Sequence, residues 1–150
     1  MAEDTVNRAA ELGGLAARPC VTKTLRIHGF REGGAETDAL SVYGTDATAI
    51  REIARTDASL ATPLDAELPY VGAQVVWAAR EEMARTLEDV LARRCRALFL
   101  NARAALRMAP ATAALLAREL GRDAAWERTQ IELFKTVAAG YITRPYTDPC

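Results

Sequence analysis

The chain has 150 residues and 16.2 kDa, the size of one domain, long enough to bury roughly 70% of its unfolded surface. Half of the residues are apolar and 26% are charged, an ordinary globular composition, and a formal net charge of −1 recruits neither nucleic acid nor an anionic membrane. Cys20, Cys95 and Cys150 stand at unrelated spacings beside a single histidine, His28, which argues against a zinc site and against a disulfide framework.

The first residues, Met-Ala-Glu-Asp-Thr-Val-Asn-Arg, are acidic where a signal peptide would be basic and then apolar. Residues 4–13 are predicted to form a short helix with Val6, Ala9, Ala10 and Leu12 on its apolar side, ended by Gly13-Gly14. After Pro19, residues 20–30 alternate Leu25, Ile27 and Gly29 against Lys23, Arg26 and His28. That alternation predicts a minor extended segment near residues 21–30, stopped by Gly33-Gly34.

Helical periodicity dominates the rest of the chain. After a Tyr43-Gly44 break, Thr45 to Arg55 places Ala49, Ile50, Ile53 and Ala54 on one stripe. Residues 56–69 read as a connector containing Pro63 and Pro69, with Leu60, Leu64 and Leu68 spaced to pack on something. Gly72 to Arg85 is predicted helical with Val75, Val76, Ala79 and Met83 inward. Thr86-Leu-Glu-Asp89 reads as a capping box opening a helix that carries Leu87, Val90 and Leu91 and ends in Arg93, Arg94 and Arg96, beside its negative dipole end. Leu98-Phe99-Leu100 is a dense apolar patch at the next bend. Pro110 suits the first position of a helix running to Leu120 and closed by Gly121. Asp123 is expected to cap a last helix whose face is Trp126, Leu133, Phe134, Val137 and Tyr141. Residues 143–150 read as a frayed tail. The predicted fold is mostly α, an irregular or orthogonal bundle of five to six helices.

No constellation assembles a catalytic site. His28 is a candidate general base, but no nucleophile motif accompanies it, and an exposed or capping histidine is the plainer reading. Glu81-Glu82 and Glu88-Asp89 are acid pairs on predicted solvated helix faces, without the apolar pocket that acid–base work needs. Trp77 and Trp126 read as core or interface anchors. Gly13-Gly14 and Gly33-Gly34 lack the strand–turn–helix context of a phosphate loop. Arg93, Arg94, Arg96, Arg103 and Arg107 form the basic concentration of the chain. They are expected to neutralise helix ends and pair with Glu81, Glu82, Glu88 and Glu119. The competing reading is a small helical nucleic-acid-binding regulator using the Arg93–Arg107 cluster. No apolar run approaches the roughly 20 residues of a membrane-spanning helix. Reduced thiols point to a cytoplasmic protein, and the excess of arginine over lysine, with abundant alanine, suits a GC-rich bacterial genome.

The run Leu68 to Arg96, LPYVGAQVVWAAREEMARTLEDVLARRCR, resembles the core of the C-terminal helical domain of FAD-dependent, aerobic respiratory glycerol-3-phosphate dehydrogenases and alpha-glycerophosphate oxidases. Ile27-His28-Gly29-Phe30 with Tyr43-Gly44, and Met1-Ala2-Glu3-Asp4-Thr5-Val6, agree with the same family. The chain departs from it at Cys95, where the family usually has Thr, and at Gln74, where many members have Glu on what reads as a helix face. The resemblance implies a division into residues 1–18, a remnant of the last helix of an absent flavin domain, and residues 19–142, the C-terminal helical domain. Met1 then reads as an internal methionine of a longer protein. Complete members oxidise glycerol 3-phosphate to dihydroxyacetone phosphate, pass electrons through FAD to a quinone, and sit peripherally on the cytoplasmic membrane. No catalytic, cofactor-binding or metal-binding position of the family maps onto these residues. The expected role is therefore non-catalytic and structural, with no cofactor and no metal in this chain. Its expected partner is a flavin domain, encoded with it or separately, or a second copy. Val6, Ala10, Leu12, Tyr70 and Trp77, with Arg93, Arg94 and Arg96, are the candidate interaction surface.

Overall fold

Alanine lets the helices of this protein approach one another closely. The longest helix, α5 (Ala102–Leu120), buries Ala102, Ala104, Ala105, Ala109, Ala113 and Ala117 together with Met108 and Leu116. Small side chains at that spacing allow neighbouring backbones to pack close on α5 while the larger residues fill the gaps. Packed against it are α3 (Gly72–Glu81) and α6 (Ala124–Ala139). The remaining elements are α1 (Ala2–Leu12), α2 (Ala47–Thr56), the one-turn α4 (Ala97–Leu100), and a hairpin of β1 (Pro63–Asp65) with β2 (Leu68–Val71). The structure, a computed structural model, describes residues 1–33 and 38–142. Gly34 and the tail expected to fray, 143–150, lie outside the described residues.

The mostly α class holds, but the extended segment lies elsewhere. Residues 21–30 form turns rather than a paired strand, and nearly all of that stretch is exposed. The strands instead come from the predicted connector: Pro63 aligns with Val71 and Asp65 with Leu68, antiparallel with a bulge between. Pro63 and Pro69 are tolerated because a two-stranded sheet consists only of edges. Leu60 and Leu68 are buried and Leu64 is half-buried, as their spacing implied.

Two hydrophobic clusters result. The larger joins α3, α5, α6 and residues 84–98 around Leu87, Leu91, Leu98, Met108, Leu116 and Phe134. The smaller joins α2 to α3 through Ile50, Leu60, Ala73, Val76 and Trp77. In α2 the buried alanine is Ala47, one turn before Ile50, whereas the predicted Ala49 is exposed.

Several other positions differ. Met83 does not face inward: α3 ends at Glu81, and Met83 takes φ 58° with 76% of its surface exposed. That left-handed residue, together with Glu82, breaks the predicted helix. The capping box at Thr86 forms as expected: Asp89 N–H donates to the Thr86 hydroxyl at 3.1 Å and Thr86 N–H to Asp89 Oδ2 at 3.0 Å. It opens a π-helical turn, Asp89–Arg94, rather than a regular helix. Pro110 is inside α5, not at its start. It costs the hydrogen bond to the carbonyl four residues back, and its exposed position leaves that carbonyl within reach of water. The actual start is capped by Asn101, whose Oδ1 accepts from Ala104 N–H at 3.0 Å. Gly121 closes α5 in the left-handed conformation and Asp123 Oδ1 caps α6 through Trp126 N–H at 2.9 Å. On α6, Phe134 is buried, but Leu133 and Tyr141 are about half exposed.

Candidate functional site

The predicted interaction surface separates into three places. On α1, no residue is buried: Val6 and Leu12 are 65% and 76% exposed, and Ala10 is half-buried. Its apolar side and the run Leu15–Pro19 frame an open groove of about 920 Å3. Eleven residues make a helix too short to be stable in water by propensity, and α1 lacks the tertiary packing that normally holds such a helix.

Tyr70 and Trp77 are not part of an exposed patch with it. Tyr70 is half-buried against the larger cluster, and Trp77 is 8% exposed within the smaller one. Trp77 is covered because His28, Leu40 and Tyr43 pack over its cluster. The His28 ring stacks on the indole with centroids 6.2 Å apart and planes at 20°, and His28 Nε2 lies 3.1 Å from Asp46 Oδ2. Gly29 and Gly44 make this possible. Gly44 has φ 56° and ψ −125°, and a Cβ there would meet the Gly29 carbonyl oxygen at 1.8 Å. The two short motifs that stand apart in the sequence, His28-Gly29 and Tyr43-Gly44, are thus one clasp.

Behind the clasp is a buried polar cluster. Gln74 is 3% exposed, on the inward side of its helix. Its Oε1 accepts from Val71 N–H at 2.9 Å and its Nε2 donates to the Tyr43 hydroxyl at 3.4 Å. Burial pushes the Tyr43 hydroxyl up to about 12 and the Cys95 thiol up to about 11. Cys95 is therefore held as an unreactive thiol. Glu82 is also drawn in, contrary to its predicted solvated face: its Oε2 is buried without a hydrogen-bond partner among the described residues. Sequence reading missed Asp46 and the burial of Glu82. The only hint was the agreement of both clasp motifs with one family.

Of the clustered arginines, Arg93, Arg94 and Arg107 are engaged inside the molecule. Arg93 reaches Glu88 at 2.6 Å and Asp89 at 2.9 Å. Arg94 donates to the Glu82 main-chain carbonyl at 3.0 Å through Nε. Arg107 binds Asp65 in a two-pronged contact at 2.7 and 3.0 Å, pinning the hairpin to α5. Arg80 does the same with Glu119 between α3 and α5. Arg96 is exposed at φ 60°. Among the described residues no group of three or more His, Cys, Asp or Glu is placed to hold a metal ion. Likewise, no helix is long and apolar enough to cross a membrane.

Fold and site together define a mostly helical module whose polar groups mostly serve its own architecture. The sequence profile of the C-terminal domain of alpha-glycerophosphate oxidase matches residues 20–129, and the chain belongs to that family. It is 32% identical to the probable mitochondrial glycerol-3-phosphate dehydrogenase of Caenorhabditis elegans, over 91% of this chain and 22% of that protein. It is 32% identical to the mitochondrial enzyme of Mesocricetus auratus and 30% to that of Homo sapiens, over 89% and 88% of this chain and 21% of each relative. The chain thus spans about a fifth of the length of the curated relatives it matches. No solved structure matches it. These mitochondrial relatives overturn the cytoplasmic expectation. Acidic first residues and unpaired cysteines cannot assign a compartment from a fifth of a protein. The relatives are eukaryotic, so the bacterial origin read from composition finds no support in them, and the nucleic-acid-binding alternative finds none either.

Proposed function

We propose that this chain is the non-catalytic C-terminal module of a glycerol-3-phosphate dehydrogenase, and that it docks through α1 onto the flavin-carrying body of that enzyme. The observation that carries the reading is the contrast between two parts of the chain: residues 47–142 form a packed bundle, whereas α1 buries nothing. The match to the C. elegans relative takes in 91% of the chain. Even with everything after residue 129 included, that share reaches back before residue 20, where the domain profile begins. An unsupported helix that stands ahead of a domain matched to part of a longer enzyme suits a helix completed by that enzyme's other part.

The oxidation of glycerol 3-phosphate, with FAD as electron acceptor, then belongs to the body. The residues present here do not fit a flavin. The one strand-to-helix junction among the described residues, β2 to α3, is filled: a Cβ on Gly72 would stand 3.1 Å from both Leu60 and Leu115, and the first free N–H is taken by Gln74. A pyrophosphate has no room at that helix end. Purified by itself, the chain should show no flavin absorbance and no dye reduction with glycerol 3-phosphate. Stoichiometric bound FAD would overturn the proposal.

A further inference from the structure

Glu82 and Thr112 carry the side-chain oxygens that are buried without a hydrogen-bond partner among the described residues. Of the two, only Glu82 ionises. It follows the last residue of α3, at the negative end of the helix dipole, which opposes a carboxylate. The nearest cation offsets this only in part. Arg94 Nε is 3.7 Å from Glu82 Oε2, because the guanidinium is turned onto the Glu82 main-chain carbonyl at 3.0 and 2.5 Å. The Trp77 indole, the Asp46 carboxylate and the His28 ring are the other groups that act on this carboxyl. Tyr43 and Cys95 complete the titratable groups that feel its charge.

We propose that Glu82 is a proton-operated latch between the end of α3 and the His28–Asp46 clasp, closed when its carboxyl is neutral and loosened when it ionises. A neutral carboxyl sits in the crevice without a second negative charge facing Asp46. An ionised one lacks a hydrogen bond on Oε2, is repelled by Asp46, and gains most by opening towards water. Trp77 is the hinge of this response, since it touches Glu82 on one side and His28 on the other. Residues 20–33 are otherwise almost wholly exposed, so the clasp governs how firmly that segment, and α1 before it, is held to the bundle. The latch holds whether or not α1 binds a flavin body.

Burial pushes the Glu82 carboxyl above the ordinary glutamate range, with Arg94 and Trp77 opposing, Asp46 adding and His28 opposing. A carboxyl raised in the closed state favours closure at low pH and withdraws that contribution as pH rises through its closed-state midpoint. Each pH unit of elevation corresponds to about a tenfold shift of the closing equilibrium on full ionisation.

The test tracks the Trp77 indole N–H resonance and the acrylamide quenching of the full chain between about pH 4 and pH 8. The resonance should titrate and quenching should rise with pH, and His28→Gln should keep both responses. In Glu82→Gln the indole should be protected and insensitive to pH. A titration that persists unchanged in Glu82→Gln would overturn the latch. Should that variant fail to fold, the carboxyl carbon of Glu82 in the unaltered chain decides: a midpoint within the ordinary glutamate range also overturns it.

Discussion

Thr112 lies fully buried in the middle of α5, and its hydroxyl has no partner among the described residues. A buried, unsatisfied hydroxyl costs about 1–3 kcal/mol relative to an apolar group of the same shape. Thr112→Val should therefore raise stability by about 1 kcal/mol, read as a higher Tm in thermal denaturation; a lower Tm would show that the hydroxyl is satisfied. Gly44→Ala should act the other way. Its left-handed φ costs any other residue about 1–3 kcal/mol, and the added Cβ collides with the Gly29 backbone. Loss of the clasp should appear as increased exposure of Trp77 in the fluorescence spectrum, while an unchanged spectrum would mean that Gly44 is not what seats it. Residue identity foretold part of this. Asp123 and Thr86 cap as their spacing indicates, because a cap is settled within four residues of chain. Gln74 and Glu82 could not be placed in the same way: the pattern puts each on a helix face, and only the fold brings Tyr43 onto Gln74 and turns Glu82 Oε2 inward.

At the scale of elements, the helices carry periodic signals that survive folding, while their ends respond to tertiary contacts. Pro110 looks like a start because proline favours the first turn. Here Asn101 starts the helix nine residues earlier, and packing on α3 and α6 carries it through the proline. The hairpin was hidden because three- and four-residue strands, each with a proline, are too short to show alternation. It is held from outside by Arg107. The Asp65 carboxyl is kept below its usual range by that guanidinium and by the Glu67 N–H. Arg107→Ala should speed amide exchange in Leu68–Val71 with little change in Tm; unchanged exchange would deny Arg107 that role. The π-helical turn depends on the Asp89 box. Burial raises the Asp89 carboxyl, but the N–H groups of Arg85 and Thr86, the Thr86 hydroxyl and Arg93 outweigh it and lower it below the ordinary aspartate range. A depressed carboxyl contributes stability above its unfolded midpoint and loses it as pH falls through its folded midpoint. Asp89→Asn should cost about 1 kcal/mol near neutral pH and have a smaller effect in acid, below about pH 3. An equal cost at both would show that its charge is not involved.

Taken as a whole molecule, the chain is a bundle with an unsupported helix at one end. Deleting residues 2–12 should leave Tm almost unchanged, because no side chain of α1 is buried. A large loss would place α1 in the core. The family could be read from the run Leu68–Arg96, which forms much of that core, whereas acidic first residues and unpaired cysteines carry no compartment signal. The central claim is that the exposed side of α1 is completed by the flavin-carrying body of a glycerol-3-phosphate dehydrogenase. Sedimentation of the purified chain with that body, produced without its own C-terminal module, tests it most directly. The account predicts a one-to-one complex that Val6→Asp together with Ala10→Asp abolishes while the bundle stays folded. No complex with the unaltered chain, or a complex that the two substitutions leave intact, would contradict it.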